Sequence, residues 1–256
     1  MKVSIITVTY NSEKTLTDTI ESLYNQTYDN IEYILIDGKS KDTTVDIIKS
    51  YESKFNDKGI EYKWVSEKDN GIYDAINKGI RLATGDIVGI LNSDDYYYDN
   101  NVVKDISEAF KDKRLDCIYG NLKYIDPESN KVTRIWKSKQ FQPGLFQKSW
   151  TPAHPTFYCK KELYDKYGVY RTDFKIAADV ELMYRFLVKH IANSKYIDRY
   201  FVLMRQGGVS SNGINSTIII TKEMKKAFKD NGAKFNIIKY MFYKAIKIRE
   251  FLVVKS

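Results

Sequence analysis

The chain has 256 residues and a formal net charge of +8, and 43% of its residues are hydrophobic. This length and composition are typical of a folded globular protein with one large domain or two small ones, and they exclude a disordered or fibrous chain. No stretch approaches the roughly 18 to 20 apolar residues of a membrane-spanning helix, and the first apolar run is too short for a signal peptide. We therefore expect a cytoplasmic protein that contacts a membrane only peripherally.

The positive charge is concentrated towards the C-terminus. Residues 205–256 contain eleven Lys or Arg and three Asp or Glu, so this segment carries the whole net charge. A basic segment of this kind predicts a local contact with an acidic surface, either nucleic acid or anionic lipid. Cys117 and Cys159 lie in apolar stretches without CxxC spacing, which argues against a disulfide framework or a zinc site.

Strand-like and helix-like stretches alternate from residue 2 to about residue 112. Runs of β-branched apolar residues predict strands at 2–9, 31–37, 60–66 and 86–92. Apolar residues at helical spacing predict helices at 12–26, 42–55 and 71–83. Ser12 and Asp42 offer side-chain oxygens to cap the first two helices. This alternation predicts an α/β fold in which helices cover a parallel sheet.

The pattern changes after about residue 115. The stretches "CIYGNLKYI" and "KVTRIWK" predict a strand pair, and the proline-containing segment from Ser138 to Pro155 predicts a loop near the active site. Further along, "KKELYDKYG" and "AADVELMYRFLVKH" predict helices, "YIDRYFVLMR" a strand and "GGVSSNG" a glycine-rich turn. Helical patterns continue from about Ser216.

Polar side chains follow each of the first four predicted strands, where ligands bind in an open α/β sheet. Asp94 and Asp95 come directly after the apolar run "IVGIL". Their charges repel each other beside a low-dielectric wall unless a cation or hydrogen-bond donors offset them. Mg²⁺ or Mn²⁺ would meet this need, and such ions take one or two carboxylates together with substrate phosphate oxygens. The pair therefore suggests a diphosphate ligand.

Five stretches, in this order, resemble the motifs of family-2 glycosyltransferases with the GT-A fold: "TVTYN", "LIDGKSKD", "SEKDNGIYDAINKGI", "ILNSDD" and "IAADVELMYRF". The resemblance covers about residues 2 to 210, and the third stretch is similar to that of bacterial enzymes that build exopolysaccharide, capsule or O-antigen units. It implies a catalytic domain at 1–210, with a nucleotide-sugar-binding half at 1–115 and an acceptor-binding half at 116–210. A basic amphipathic helical segment then occupies 211–256.

The resemblance also implies a nucleotide-sugar donor, most often a UDP-sugar, and assigns residues to it. Asp37 would accept the imide N–H of uracil, and Asp95 would be the direct ligand of Mn²⁺ or Mg²⁺. Asp94 would reach the ribose or a metal-bound water. Arg205 would pair with a phosphate, next to a mobile lid at Gly207 and Gly208. The remaining predicted nucleotide contacts are Thr9, the backbone of Tyr10, Asn11 and Asp69.

Asp179, in "AADVEL", matches the family's catalytic base, which takes a proton from the acceptor hydroxyl. Glu181 is the alternative, and on a helix it faces a direction roughly 200° away. A base opposite the leaving group implies in-line displacement with inversion. Lys39 and Lys41 replace small residues of the family, either to bind the donor or as solvated charges. His154 is either a packing residue or a neighbour of the diphosphate or acceptor.

These residues predict an inverting, metal-dependent glycosyltransferase that moves a sugar from a UDP-sugar to a saccharide hydroxyl, on a lipid-linked acceptor in surface polysaccharide biosynthesis. A sugar nucleotidyltransferase is one alternative, although "TYNSEKTL" lacks the glycine of a triphosphate loop; a non-catalytic nucleotide-sugar-binding module is another. The amphipathic stretch from Ile237 to Leu252 predicts either a packed helix or peripheral contact with the inner face of a bacterial cytoplasmic membrane. No nucleic-acid-binding motif is present, so nucleic acid is not an expected partner.

Overall fold

The computed structural model describes residues 1–207 and 213–253, with the backbone alone for 213–214 and 248–253. Within these residues, nine strands form one mixed sheet, in the order β3-β2-β1-β4-β8-β6-β9-β5 with β7 paired to β6. The strands are β1 (Val3–Thr9), β2 (Ile31–Asp37), β3 (Glu61–Ser66), β4 (Ile87–Ile90), β5 (Tyr96–Tyr97), β6 (Cys117–Ile125), β7 (Val132–Trp136), β8 (Tyr158–Lys160) and β9 (Ser194–Arg205).

Nine α-helices are present in the described residues. They are α1 (Leu16–Tyr24), α2 (Thr44–Ser50), α3 (Glu52–Asp57), α4 (Ile72–Leu82), α5 (Val102–Ala109), α6 (Lys161–Tyr167), α7 (Ala178–Tyr184), α8 (Gly213–Asp230) and α9 (Ile237–Val253). The predicted α/β organisation is confirmed, although the helix expected at 42–55 is two helices, α2 and α3. A π-helical turn, Arg185–Lys189, continues α7.

Strands β1 to β4 are parallel to one another, as the alternating pattern predicts. Every residue of β1 and β2 is buried, because helices cover both faces of the sheet. Alternate side chains enter two apolar clusters, one containing Ile6 and Ile34 under α4, the other Ile5 and Leu35 under α1 and α3. The carboxyl ends of these strands therefore meet at one edge of the sheet.

The second half of the sheet is mixed. Strand β8 lies between β4 and β6 and is antiparallel to both, whereas β9 is parallel to β6. The predicted β6 and β7 pair is confirmed as antiparallel. Strands β5 and β8 have two and three residues, too few for a periodic pattern to show in the sequence. The predicted loop from Ser138 to Pro155 contains only short 3₁₀ turns.

Helices α8 and α9 pack on the same core as the preceding chain. Met224 and Phe228 of α8 and Tyr240 of α9 are buried in the cluster that contains Ile6 and Tyr184. In the part of the chain that the structure describes, none of the helices has the length and apolar character needed to cross a bilayer.

The N-terminal caps differ from expectation in one case. Ser12 does not cap α1, which begins at Leu16 after Thr15. The carbonyl of Ser12 instead accepts the backbone N–H groups of Thr15 and Leu16, which lead into α1. The hydroxyl of Ser12 lies 3.0 Å from Oγ of Ser93. Asp42 acts as expected, because its Oδ1 accepts the N–H of Thr44 at 3.1 Å.

Candidate active site

Asp37 lies at the end of β2 and is fully buried. Its carboxylate accepts the N–H of Ser40 at 3.1 Å and the hydroxyls of Ser40 and Ser66 at 2.5 Å each. These bonds fix the turn that follows β2. A carboxylate offers about four acceptor positions, which leaves capacity for one further donor, so the contact with uracil stays a prediction.

The end of β1 is joined to the same turn. The N–H of Asn11 donates to Oγ of Ser40 at 2.8 Å, and Oδ1 of Asn11 accepts the N–H of Lys41 at 2.9 Å. Asn11 has a φ of 50°, a left-handed conformation that Asn adopts more readily than most residues. The hydroxyl of Thr9 is buried and has no hydrogen-bond partner among the described residues. Asn11 thus shapes the loop, and Thr9 keeps an unused polar atom.

A narrow gap separates Gly38, Asp69 and Tyr10. A Cβ on Gly38 would lie 3.0 Å from Oδ2 of Asp69 and 3.4 Å from the ring of Tyr10, so the glycine keeps this space open. Oδ1 of Asp69 is held by the ammonium of Lys78 at 2.6 Å. Tyr10 is exposed. The structure therefore brings three of the strand-end residues of the sequence prediction around one opening.

The two lysines that depart from the family pattern are exposed. Lys39 has a φ of 63°, in the region that favours glycine, and this conformation costs a non-glycine residue roughly 1 to 2 kcal/mol. The backbone N–H of Lys41 is the one bonded to Asn11. The backbone geometry thus explains why a small residue suits position 39.

Asp94 and Asp95 lie after β4, as predicted. Asp95 is fully buried, and its carboxylate accepts the side-chain N–H of Asn92 at 2.9 Å and the backbone N–H of Arg205 at 3.3 Å. Burial and the neighbouring charge of Asp94 raise the pKa of Asp95 well above its usual value. Burial also raises the pKa of Asp94, against the opposing fields of Arg205 and His154. Asp94 is the more exposed of the two.

Arg205, the last residue of β9, is almost buried beside the two aspartates. Its guanidinium donates to the carbonyl of Asp94 at 3.0 Å, pairs with Asp18 of α1 and lies 5.0 Å from the centre of the Tyr96 ring. The residue therefore ties α1 and β9 to the acidic segment. Its predicted pairing with a donor phosphate stays a prediction, and most of the predicted lid, including Gly208, lies outside the described residues.

The tyrosines that follow the acidic pair support the site from behind. Tyr96 and Tyr97 form β5, which pairs with β9 next to Arg205. The Tyr97 hydroxyl lies 3.1 Å from that of Tyr158 in the core, and the Tyr98 ring contacts Tyr200. Side-chain packing of this strand thus holds the end of β9 against Asp94 and Asp95.

Asp179 is the second residue of α7. Its Oδ1 is buried and has no hydrogen-bond partner among the described residues, whereas Oδ2 lies 3.3 Å from Nδ1 of His154. Burial raises the pKa of Asp179, and the field of His154 opposes this shift. The field of the same histidine also lowers the pKa of Asp94. His154 thus contacts the predicted base, and a position beside the diphosphate or acceptor stays a prediction.

Glu181 is engaged elsewhere. Its carboxylate pairs with the guanidinium of Arg185 at 3.0 Å and accepts the side-chain N–H of Asn231 at 3.0 Å. Arg185 in turn donates to the carbonyls of three residues before α7, at positions 167 to 169. Glu181 therefore has a structural task, which favours Asp179 as the base.

Two residues that hold the start of α7 leave no signal in the local sequence pattern. Glu223 of α8 accepts three backbone N–H groups, from Lys175 at 2.6 Å, Ile176 at 3.1 Å and Ala177 at 2.8 Å. Tyr73 of α4 donates its hydroxyl to the carbonyl of Ile176 at 2.5 Å. Both contacts join residues more than 45 positions apart, which local patterns do not reveal. They fix the backbone on which Asp179 stands.

The acidic segment is suited to a divalent cation. No group of three or more His, Cys, Asp or Glu side chains within the described ranges forms a complete metal cluster. Asp94 and Asp95 nevertheless provide two adjacent carboxylates whose raised pKa values reflect a negative charge held in a buried place. A cation that shares its ligands between protein carboxylates and substrate phosphates fits such a pair.

Comparison with known proteins gives the class. The family model described as "Glycosyl transferase family 2" matches residues 4–176. A PGL/p-HBAD biosynthesis glycosyltransferase of Mycobacterium tuberculosis is 25% identical over 232 residues, which are 87% of this chain and 82% of the relative. This chain belongs to glycosyl transferase family 2.

Two solved structures share the fold. Residues 1–349 of S. aureus TarS in complex with UDP-GlcNAc match with a TM-score of 0.68 and 20% identity, over 98% of this chain and 72% of that one. The mannosyltransferase PcManGT from Pyrobaculum calidifontis, in complex with GDP-Man and Mn²⁺, matches with a TM-score of 0.67 and 19% identity. This match covers 95% of this chain and 68% of that one. A further match, to a longer structure of S. aureus TarS, covers 98% of this chain but 43% of that one. The predicted GT-A fold is confirmed, and the protein is a glycosyltransferase.

Proposed function

We propose that this enzyme transfers a sugar, with inversion, from a UDP-sugar to a hydroxyl of a saccharide acceptor, and that a divalent metal ion is required. The observation that carries the proposal is the environment of Asp179. Its buried Oδ1 has no hydrogen-bond partner among the described residues and keeps its capacity to accept a proton, and its Oδ2 lies 3.3 Å from Nδ1 of His154. UDP-GlcNAc bound to the structurally similar TarS supports the choice of donor.

The nucleotide would occupy the opening between Tyr10, Gly38 and Asp69, where Asp37 has one remaining acceptor position. The acceptor hydroxyl would donate its proton to Oδ1 of Asp179 while its oxygen attacks the anomeric carbon. The bond from that carbon to the diphosphate breaks as the new bond forms, and UDP leaves with the electron pair. Attack from the face opposite the diphosphate inverts the configuration. A positioned base contributes roughly 10²- to 10⁴-fold to such a rate.

Asp94 and Asp95 would hold Mn²⁺ or Mg²⁺, with Asp94 the more accessible carboxylate and Asp95 the one fixed by Asn92. When bound, the ion would stabilise the negative charge of the leaving diphosphate. His154 would hold the Asp179 carboxylate through Oδ2, leaving Oδ1 for the acceptor. Arg205 would maintain the acidic segment against α1, and would add positive charge near the phosphates.

We further propose a lipid-linked acceptor in surface polysaccharide synthesis and peripheral contact with the cytoplasmic membrane through α9. The helix faces its own domain with Tyr240, Tyr243 and Lys247 and turns apolar side chains outward. Ile238 and Phe242 are 80% and 62% exposed. Burial of such side chains in a lipid interface is favourable, and the basic C-terminal segment adds attraction to anionic lipid.

The donor and metal are tested by UDP release from a panel of UDP-sugars, with Mn²⁺ and with a chelator. We expect slow hydrolysis of one UDP-sugar with Mn²⁺ and its loss with the chelator, because the enzyme supplies the site for the diphosphate and water replaces the acceptor. The control donor is GDP-mannose, for which the release of GDP is measured under the same conditions. Metal-independent release, or release from GDP-mannose alone, would contradict the donor and metal assignments.

A further inference from the structure

A second groove lies away from the acidic pair, between β7, the loop that follows it and α9. Its volume is about 430 Å³, within the range of sites for small molecules. Its lining includes Trp136 of β7, Trp150 of the loop and Tyr243 of α9. Five cationic side chains also line it, namely Arg134, Lys137, Lys139, Lys148 and Lys247. Among the described side chains that line the groove, none is acidic.

The cations stand over the aromatic rings of the groove. The ammonium groups of Lys139, Lys148 and Lys247 lie 5.9, 5.6 and 5.5 Å from the ring centres of Trp150, Tyr243 and Trp136, in that order. Lys139 and Lys148 are exposed and have no carboxylate partner among the described side chains. Like charges that line one groove repel each other, and an anion bound among them offsets that repulsion.

The combination of rings and cations defines the chemistry of the occupant. Flat aromatic faces cover the C–H surface of a sugar ring, and ammonium groups bind phosphate or carboxylate groups. Lys137 is partly neutralised by Asp198 at 3.3 Å, so the charge available to a ligand is centred on Lys139 and Lys148. A neutral glycan uses the rings alone, and a free anion uses the cations alone.

The groove is connected to the catalytic centre by the chain itself. Trp150 forms its floor and packs against Tyr119 of β6, and His154, the partner of Asp179, follows four residues later. Four residues span at most roughly 14 Å. A saccharide bound in the groove therefore lies within a few sugar units of the base.

We infer that this groove binds an acidic saccharide, the acceptor chain, through anionic groups on Lys139 and Lys148 and a sugar ring on Trp136, the more exposed of its two tryptophans. The inference rests on the proposed transfer reaction, whose acceptor it specifies. It gives the enzyme a preference for acceptors that carry phosphate or carboxylate groups near the end that receives the sugar.

Tryptophan fluorescence reports binding, because two of the three tryptophans line the groove. In a Trp64→Phe protein, we expect 6-phosphorylated mannotetraose to quench the emission and to bind more weakly as salt increases, and mannotetraose itself to bind at least roughly tenfold more weakly. Lys139→Glu with Lys148→Glu should abolish this preference. Lys104→Glu, an exposed lysine of α5, should leave it unchanged.

Equal binding of the two tetrasaccharides, binding of neither, or a preference that survives Lys139→Glu with Lys148→Glu would each overturn the inference. Two further arms identify the source of the anion. Inorganic pyrophosphate alone, or vesicles of phosphatidylglycerol without saccharide, should not reproduce the quenching; equal quenching by either would show an anion or lipid site instead. Metal-dependent UDP release is measured in the same proteins, so failure of the donor assignment is seen separately from failure of the groove.

Discussion

At the scale of single residues, the proposed chemistry depends on Oδ1 of Asp179, which has no hydrogen-bond partner among the described residues. We expect Asp179→Asn to lower kcat by about 10²- to 10⁴-fold, since the amide does not accept the hydroxyl proton. UDP binding, measured by calorimetry, should be unchanged, because the opening proposed for the nucleotide lies among Tyr10, Gly38 and Asp69. Weakened UDP binding with full kcat would place the base elsewhere.

The pH dependence of the same residue follows from its burial. Burial raises the pKa of Asp179, so the proposed base becomes protonated, and inactive, at a higher pH than an exposed aspartate. The acid limb of kcat/KM should therefore lie above the ordinary aspartate value of about 4. Because the field of His154 lowers this pKa, His154→Gln should move the limb to still higher pH. A limb that stays in place would show that His154 does not act on the base.

At the scale of elements, the start of α7 depends on a carboxylate from α8. Glu223→Gln keeps one acceptor oxygen but loses the charge, and hydrogen bonds to charged groups contribute about 1.5 to 3 kcal/mol each. We expect the free energy of unfolding in urea to fall by about 1 to 3 kcal/mol and kcat to fall with it, because Asp179 is less well held.

The matched control is Glu162→Gln, which alters an exposed glutamate in the first turn of α6. It should change neither stability nor kcat. UDP binding should stay unchanged in Glu223→Gln, because the strands proposed to bind the nucleotide do not contact Glu223. A loss of UDP binding would therefore indicate a general disturbance of the fold rather than a local effect on Asp179. A variant that is less stable but turns over at the normal rate would show that the contact serves folding alone.

At the scale of the whole molecule, α9 presents its apolar face outward. Ile238→Asp together with Phe242→Asp should weaken sedimentation with phosphatidylglycerol vesicles by roughly tenfold or more, because each apolar side chain contributes on the order of 1 kcal/mol when buried. Thermal stability should be unchanged, since both side chains are exposed. Ile191→Asp, at another isoleucine that is 82% exposed, is the control. Equal vesicle binding by all three proteins would rule out α9 as the contact.

Local patterns predicted the first half of the fold well. Strands β1 to β4 lie in stretches rich in β-branched and aromatic residues, and α4 has apolar residues at helical spacing, so both kinds of element are visible in the sequence. Strand β8 has three residues, too few for a periodic pattern to show. The predicted cap at Ser12 was wrong, because its hydroxyl lies beside Ser93 instead of bonding to the first N–H groups of α1.

The site was predicted in part, through its motifs. Asp94, Asp95 and Asp179 stand in stretches that resemble a family; the structure places the first two directly after β4 and the third in the first turn of α7. The roles of His154 and Glu223 depend on contacts between distant segments, and no local pattern records such contacts. The face that α9 buries is also set by tertiary packing: Tyr240, Tyr243 and Lys247 turn inward, although the helix has an apolar stripe on its other side.

The bond between Glu223 and the residues before α7 has a consequence for synthesis on the ribosome. The carboxylate lies 46 to 48 positions after the N–H groups that it accepts. At about 5 to 20 residues per second, it is made roughly 2 to 10 s after them. A nascent chain that ends before residue 223 contains every strand of the sheet but lacks the carboxylate that orders the start of α7, so the proposed base is held in place only after α8 has been made.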